Sequence, residues 1–305
     1  MPNGLLLIDK PIGLRSAECV THVKHLSGKE IRVGHAGTLD STASGLLIIL
    51  IGTATRLSDY VMKLPKIYEA KMRLGVSTDT CDASGRAVFH GDASKIGEAA
   101  FDRVLCSLWG TRMQRPPEIS ALKIKGEPSH KITRDGRTAD LSPRPIVVTS
   151  ARRSSPISDG VVNISVTCGK GTYIRALVRD IGEALGCGAH VEALRRLSIG
   201  HFCVHEADTP ENLAPFPKGL RSLREAASAF HRIVLTPGAE QRLLNGLCVP
   251  ISEAGYYAPG SSELGYELCV EGENIIGFAD IISSEGRYGT PLLKPKVNVA
   301  ASDQK

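Results

Sequence analysis

The chain has 305 residues, of which 42% are hydrophobic and 23% are charged; both proportions are ordinary for a soluble globular protein. The length supports one large domain or two. The formal net charge of +5 is too small to indicate a partner, and no apolar run approaches the ~20 residues of a membrane-spanning helix, which excludes that class of protein.

The eight cysteines are scattered, with no C-x-x-C pair and no histidine at metal-ligand spacing. In a chain this long, that pattern indicates reduced thiols. The start, MPNGLLLIDKPIG, lacks the basic residues and the long apolar segment of a signal peptide. We therefore expect a cytoplasmic protein without disulfides, metal or membrane contact.

The first predicted elements are a strand and a helix. GLLLIDKP reads as a short buried strand that ends at Pro11. SAECVTHVKHLSG predicts a helix with Ser16 as its N-cap and Gly28 as its end.

The next stretch, RVGHAGTLDSTASGLLIILIG, joins a loop of small residues to an apolar strand, Leu46 to Ile51. The loop carries His35 and Asp40, with glycines at positions 34, 37 and 45 that allow tight turns and the close approach of another molecule. Taken alone, Asp40 is most simply a residue that caps a turn through its side chain.

After a second predicted helix, ATRLSDYVMKL, the segment YEAKMRLG alternates between apolar and charged residues. It predicts a half-buried strand with Tyr68 on the apolar face, where Tyr68 alone would be read as core. IGEAAFDRVLCSLWG predicts another amphipathic helix.

Between Arg112 and Arg137 there are seven basic residues and three acidic ones. This segment, punctuated by prolines and glycines, is either a solvated surface loop or a surface for a polyanion. Beyond it, VVNISVTCGKGTYI predicts a strand and RALVRDIGEALG a helix. Tyr173 and Arg175 lie at this strand-to-helix junction, where Arg175 is either a helix-surface residue or the partner of a carboxylate.

These elements follow no βαβ rhythm, so we predict an α+β fold with a largely antiparallel mixed sheet and flanking helices. Residues 1–207 form the predicted main domain, with an insertion at about 111–150. Residues 208–230 are Pro-, Ala- and Ser-rich and predict a connector, and residues 231–305 predict a small β-rich domain. The sequence has no P-loop, G-x-S-x-G, H-E-x-x-H or dinucleotide motif.

Several motifs, in the same order, resemble the TruB pseudouridine synthases. GHAGTLDSTASGLL is similar to the family signature GH-(T/A)-G-(T/A)-LD-P-x-A-(T/S)-G, and LLLIDKPIGLRS, KIYEAKMRLGVSTDTCDASG, RPPEISALKIKGEP and GTYIRALVRDIGEALGCGAHVEALRRL extend the likeness over nearly the whole chain. The C-terminal segment resembles, more weakly, a PUA-type RNA-binding domain. The signature differs at Ser41 and Thr42, where Pro and Leu are usual, and the insertion has Ile119 and HKITR in place of Tyr and Y-x-Y-A-R.

The resemblance implies a pseudouridine synthase core that isomerises uridine 55, in the T loop of tRNA, by flipping the base out, and that needs no cofactor or metal. Asp40 matches the catalytic aspartate, as nucleophile or base, and Arg175 matches its electrostatic partner. His35, Tyr68, Tyr173 and Leu194 match substrate-binding residues. The insertion corresponds to an RNA-clamping thumb, so Lys123, Lys125 and Arg134 are expected on the RNA backbone.

The partner implied is the T-arm of tRNA, bound by a monomer without an obligatory protein partner. Two alternatives stay open. One is the guide-RNA-dependent relative, against which the basic insertion argues because that relative lacks it. The other is a tRNA chaperone without turnover, against which the presence of Asp40, Tyr68 and Arg175 argues.

Overall fold

The structure is a computed structural model that describes residues 2–28, 30–118, 141–213, 216, 219–261, 267–283 and 289–300, and the backbone of residues 123–124 and 127–128. Its helices are α1 (Ser16–Ser27), α2 (Ser58–Val61), α3 (Glu98–Ser107), α4 (Ile174–Ala184), α5 (Leu223–Ala227), α6 (Pro237–Leu244) and α7 (Ile251–Ala254). Short 3-10 helices span Gly52–Leu57, Val204–Glu206 and Pro210–Asn212.

Strands alternate with these helices along the chain, which confirms the α+β class. Up to residue 128 they are β1 (Gly4–Lys10), β2 (Val33–His35), β3 (Ser44–Ile51), β4 (Lys66–Leu74), β5 (Val76–Thr78), β6 (Ala87–His90), β7 (Gly110–Gln114), β8 (Lys123–Ile124) and β9 (Glu127–Pro128). After it they are β10 (Arg144–Arg153), β11 (Val161–Cys168), β12 (Ala189–Ile199), β13 (Phe202–Cys203), β14 (Arg232–Leu235), β15 (Val249–Pro250), β16 (Gly255–Ala258), β17 (Leu268–Glu271), β18 (Ile275–Ser283) and β19 (Pro291–Ala300).

The chain folds into two compact units. The first unit contains Met1–Ser41, Gly45–Pro65 and Ile199–Lys305, and the second contains Thr42–Ser44 and Lys66–Ser198. These units describe packing. The division of the sequence into residues 1–207, 208–230 and 231–305 stays a prediction.

In the first unit, β1 and β3 pair antiparallel, and β2 pairs with β3. Alternate residues of β3 enter two hydrophobic clusters: Leu46, Ile48 and Leu50 belong to one, and Leu47 and Ile49 to the other. Since successive side chains of a strand point to opposite faces, a strand buried on both sides needs a continuous apolar run. This explains the sequence of β3.

The C-terminal part of the first unit is the β-rich region that the sequence predicts. Its strands run in the order β15-β19-β18-β17-β14-β16, and a small core lies against them. Phe278 of this sheet belongs to the same cluster as Leu46 and Ile48 of β3. The ring of Tyr60, in α2, stacks on Phe278 with 3.7 Å between centroids. The C-terminal strands and the N-terminal strands therefore share one core.

In the second unit the strands run β12-β4-β11-β10-β7. Along β4, Tyr68, Ala70 and Met72 are buried while Glu69 and Lys71 are exposed, as the alternation predicts. Helix α4 buries a stripe that includes Leu177 and Ile181, because residues three and four apart lie on one face of a helix. Tyr173 and Arg175 are at the beginning of this helix.

Two predicted details differ in the structure. The N-cap of α1 is Arg15, whose backbone N–H donates to the Glu18 carboxylate at 2.7 Å; Ser16 is the first helical residue, so its assignment as N-cap is wrong. The Ser16 hydroxyl bonds the backbone of Leu39 instead. The second predicted helix is a 3-10 helix followed by the short α2.

Candidate active site

Asp40 is half-buried in the loop of residues 36–43, between β2 and β3. The residues on either side of it are held by hydrogen bonds inside the first unit. The buried Ser16 hydroxyl accepts from the N–H of Leu39 and donates to its carbonyl, both at 2.9 Å. The N–H of Gly13 donates to the carbonyl of Ser41 at 2.7 Å. The backbone that presents the Asp40 carboxylate is thus fixed on both sides.

The three residues after Ser41 belong to the second unit and are held there. The Thr42 hydroxyl donates to Asp82 Oδ2 at 3.2 Å, and Arg195 donates to the Ser44 hydroxyl at 3.3 Å. The φ angle of Gly45, the second residue of β3, is 110°, a backbone conformation that favours glycine.

Asp82 is the main functional candidate that the sequence analysis missed. Its side chain is buried, and it accepts hydrogen bonds from the hydroxyls of Thr80 at 2.7 Å and Ser84 at 2.5 Å, and from the N–H of Ser84 at 3.0 Å. The Arg175 guanidinium lies 3.8 Å from Asp82 Oδ2. A carboxylate in a Ser- and Thr-rich loop is usually a turn residue, which is why TDTCDASG gave no signal by itself.

These contacts keep Asp82 ionised. Burial raises the pKa of its carboxyl, but the hydrogen bonds from Ser84 and Thr80 and the charge of Arg175 outweigh burial, so the pKa is lower than the ordinary value of 3.8. A carboxylate with several donors and a guanidinium beside it is stabilised in its charged form.

The loop that carries Asp82 is bound to strand β12. The N–H of Val191 donates to the carbonyl of Cys81 at 3.0 Å, and the N–H of Ala83 donates to the carbonyl of Val191 at 2.9 Å. Cys81 has a φ of 59°, an unusual angle for a non-glycine residue. These backbone hydrogen bonds hold the loop that presents the Asp82 carboxylate.

Arg175 is buried in the first turn of α4, with 6% of its side chain exposed. Its Nη1 donates to the carbonyl of Thr80 at 2.9 Å, in addition to the contact with Asp82. The arginine is therefore inside the protein and next to a carboxylate, not on the helix surface. Its pairing with Asp40 stays a prediction.

The other predicted substrate-binding residues have defined places. Tyr68 in β4 and Leu194 in β12 are each 8% exposed, and Tyr173 is half-buried just before α4. These three and Arg175 belong to the second unit, whereas Asp40 and His35 belong to the first. His35 ends β2, and its carbonyl accepts from the Ser58 hydroxyl at 3.3 Å.

A buried lysine lies on the same face of β4 as Tyr68. Lys66 is 6% exposed, and burial, together with the charge of Arg196, lowers the pKa of its amino group to about 7. The same face of β4 thus carries a buried amine two residues before Tyr68.

The side chains of Lys123, Lys125 and Arg134 lie outside the described residues, as does most of the basic insertion. Of that insertion, the backbone pairing of β8 with β9 is described.

Among the residues that the structure describes, no group of three His, Cys, Asp or Glu could hold a metal ion. No described helix is both long enough and apolar enough to cross a membrane. The eight cysteines, all within the described ranges, are free.

Two family models match consecutive parts of the chain. The N-terminal domain of the TruB family pseudouridylate synthases matches residues 24–174, and the C-terminal domain of tRNA pseudouridylate synthase B matches residues 175–216. The tRNA pseudouridine synthase B of Thermobifida fusca is 39% identical over 85% of this chain and 90% of its own length. That of Ruegeria pomeroyi is 36% identical over 87% of both chains.

Solved structures share the fold. A crystal structure of a Cbf5-Nop10-Gar1 complex contains a chain that is 25% identical, with a TM-score of 0.73 over 98% of this chain and 85% of that one. A structure of an H/ACA RNP, bound to a substrate RNA that contains 2'-deoxyuridine, aligns with a TM-score of 0.70 at 22% identity over 99% of this chain and 86% of that one.

Proposed function

Because this chain belongs to the TruB family of tRNA pseudouridine synthases, which are isomerases, we propose that it converts uridine 55, in the T loop of tRNA, to pseudouridine. The observation that supports a catalytic Asp40 is the fixed loop around it. Leu39 and Ser41 are both held by hydrogen bonds, and a catalytic group that is already in position avoids the cost of being ordered during the reaction.

The reaction is an isomerisation and needs no oxidant or reductant. The bond between N1 of uracil and C1' of the ribose breaks, the base rotates, and C5 forms a new bond to C1'. The proton on C5 leaves and N1 gains a proton, so the atoms balance. In this proposal Asp40 either attacks the sugar or takes a proton from it.

The neighbouring residues have complementary roles. The target base must leave its loop before it can react, which costs a few kcal/mol of unstacking. Stacking on the Tyr68 ring would return about 1–3 kcal/mol. Arg175 would keep Asp40 ionised and oriented; Tyr173 and Leu194 would line the uracil pocket, and His35 would hold the displaced RNA.

We further propose that the enzyme acts as a cytoplasmic monomer on the T-arm, without a metal, a guide RNA or a protein partner. The free cysteines are consistent with a reducing compartment. The guide-RNA-dependent relative stays the alternative. The greater identity to the tRNA pseudouridine synthase B relatives favours the stand-alone enzyme.

The decisive experiment incubates the purified protein with a tRNA transcript alone, in the presence of EDTA, and maps pseudouridine. We expect modification at position 55 and none in a transcript with cytidine there. Asp40→Asn, which keeps the side chain's size but removes its charge, should bind tRNA and form no product. A requirement for guide RNA would support the alternative enzyme, binding without product by the unmodified protein would support the chaperone, and activity in Asp40→Asn would exclude a catalytic Asp40.

A further inference from the structure

Gln114, the last residue of β7, forms an unusual pair of hydrogen bonds in the second unit. Its side chain is buried, with 2% of the residue exposed. Its Oε1 accepts from the N–H of Tyr173 at 2.9 Å, and its Nε2 donates to the carbonyl of Tyr173 at 3.1 Å. One side-chain amide thus binds both backbone groups of a single residue, as a neighbouring strand would.

Tyr173 is the N-cap of α4. The carbonyl of Tyr173 also accepts the first helical hydrogen bond, from the N–H of Leu177 at 3.0 Å. Ser, Thr, Asp and Asn are the usual N-caps because their short side chains bond the free N–H groups of the first turn. Tyr173 forms no such bond. Instead, its own backbone N–H and carbonyl are held by the Gln114 amide at the start of the helix.

A second contact joins the same two elements. Nη2 of Arg179, one turn after Arg175, donates to the carbonyl of Arg115 at 2.9 Å. Consecutive residues, Gln114 and Arg115, therefore hold the first two turns of α4. Both residues lie in the first part of the insertion at about 111–150. The end of β7 and the helix that carries Arg175 are thus joined by hydrogen bonds.

We propose that Gln114 is a positioning residue for the uridine pocket. Its amide fixes the backbone of Tyr173, and thereby the direction in which the Tyr173 ring and the Arg175 guanidinium extend from the first turn of α4. This inference rests on the proposed function, since it assigns Tyr173 and Arg175 to the pocket. Loss of the amide should slow the chemical step and leave tRNA binding unchanged.

The test uses Gln114→Met, which keeps the length of the side chain and removes both hydrogen bonds, with the exposed Gln241→Met as the matched control. The loss of two neutral hydrogen bonds corresponds to a factor of about ten or more in a rate. We expect Gln114→Met to lower the single-turnover rate at saturating tRNA about ten-fold, with Kd within about two-fold of the unmodified protein. The amide hydrogen of Tyr173, followed by NMR, should exchange about ten-fold faster.

The Gln114→Glu variant should show a pH-dependent rate that a general loss of structure would not produce. Its carboxylate can accept from the N–H of Tyr173 but cannot donate to the carbonyl, whereas the protonated acid can do both. The ratio of its rate to that of the unmodified protein should therefore rise as the pH falls from about 8 to about 5.5. If Gln114→Met is unfolded in a thermal melt, this ratio decides the question.

A full rate in Gln114→Met, a flat pH ratio in Gln114→Glu, or a rate loss matched by an equal loss of tRNA affinity would overturn the proposal. If the unmodified protein makes no pseudouridine, the proposed function fails instead. In that case the exchange rate of the Tyr173 amide still reports on the hydrogen bonds between Gln114 and Tyr173. Unchanged exchange in Gln114→Met would show that these bonds do not hold the Tyr173 backbone.

Discussion

Thr42 stands two residues after Asp40, where the usual family residue is Leu, and its hydroxyl donates to Asp82. We predict that Thr42→Val, which keeps the shape and removes the donor, lowers the single-turnover rate about ten-fold or more at saturating tRNA, because a hydrogen bond to a charged group is worth about 1.5–3 kcal/mol. Thr42→Ser should retain most of the rate. Equal rates in the Val and Ser variants would show that the hydroxyl does not order the loop.

Asp82 should also leave a signature in the pH dependence of stability. Its pKa is lowered in the folded protein, so its charged form stabilises the fold fully above the unfolded value of 3.8. That contribution is lost as the pH falls through the lower, folded value. Asp82→Asn should therefore reduce the free energy of unfolding by about 1–3 kcal/mol at pH 7.

The difference in the free energy of unfolding between Asp82→Asn and the unmodified protein should shrink below about pH 4. There the Asp82 carboxyl of the unmodified protein begins to take up a proton. Urea unfolding from pH 7 to pH 3 measures it. Asp59→Asn, at an exposed position, is the control. A difference that stays constant with pH would contradict an ionised Asp82.

At the scale of elements, α6 holds the turn between β17 and β18 through one buried side chain. The Glu240 carboxylate accepts from the N–H groups of Glu273 at 3.1 Å and Asn274 at 2.6 Å. We predict that Glu240→Ala costs about 2–4 kcal/mol of unfolding free energy, since both donors lose their acceptor. Glu253→Ala, which removes an exposed ion pair with Arg242, should cost under about 1 kcal/mol in the same urea titration.

The basic insertion should set the affinity for RNA and not the rate of the chemical step. Replacing Lys123, Lys125 and Arg134 together by Gln releases fewer counterions on binding, so the slope of log Kd against log salt should fall by about 2–3. The rate at saturating tRNA should change little. A control variant with the exposed Lys24, Lys95 and Arg103 changed to Gln has the same net charge as the insertion variant. An equal fall in the salt slope of this control would show that the insertion has no special role in RNA binding.

At the scale of the whole molecule, Phe278 tests whether the N- and C-terminal parts of the first unit share one core. Its ring contacts those of Tyr60 and Phe230. We predict that Phe278→Ala destabilises the unit by about 3–5 kcal/mol. Amide exchange in β3 and in β18 should accelerate together, because both strands line this core. Acceleration confined to β18 would show that the C-terminal sheet is stabilised separately.

Periodicity was enough to predict the α+β class, strand β4 and helix α4, because each is decided by which face is buried. It could not predict the partners of polar side chains. Ser16 has the residue type of an N-cap, yet its hydroxyl bonds Leu39, 23 residues away. Asp82 was missed because its contacts with Thr42 and Arg175 join segments distant in sequence, and the same holds for Gln114 and Tyr173. Such contacts have no periodic signal, so only family resemblance singled out Asp40 beforehand.

The segments that form each unit are made at different times during translation. The second unit is nearly one continuous stretch, Lys66–Ser198, while the core of the first needs both β1 and residues near Val299. During translation, the middle of the protein can finish folding while the N-terminal strands still expose apolar side chains and await the last strand to leave the ribosome. Since transiently exposed apolar surface promotes aggregation, we expect β1 and β3 to be the segments that chaperones bind on the nascent chain.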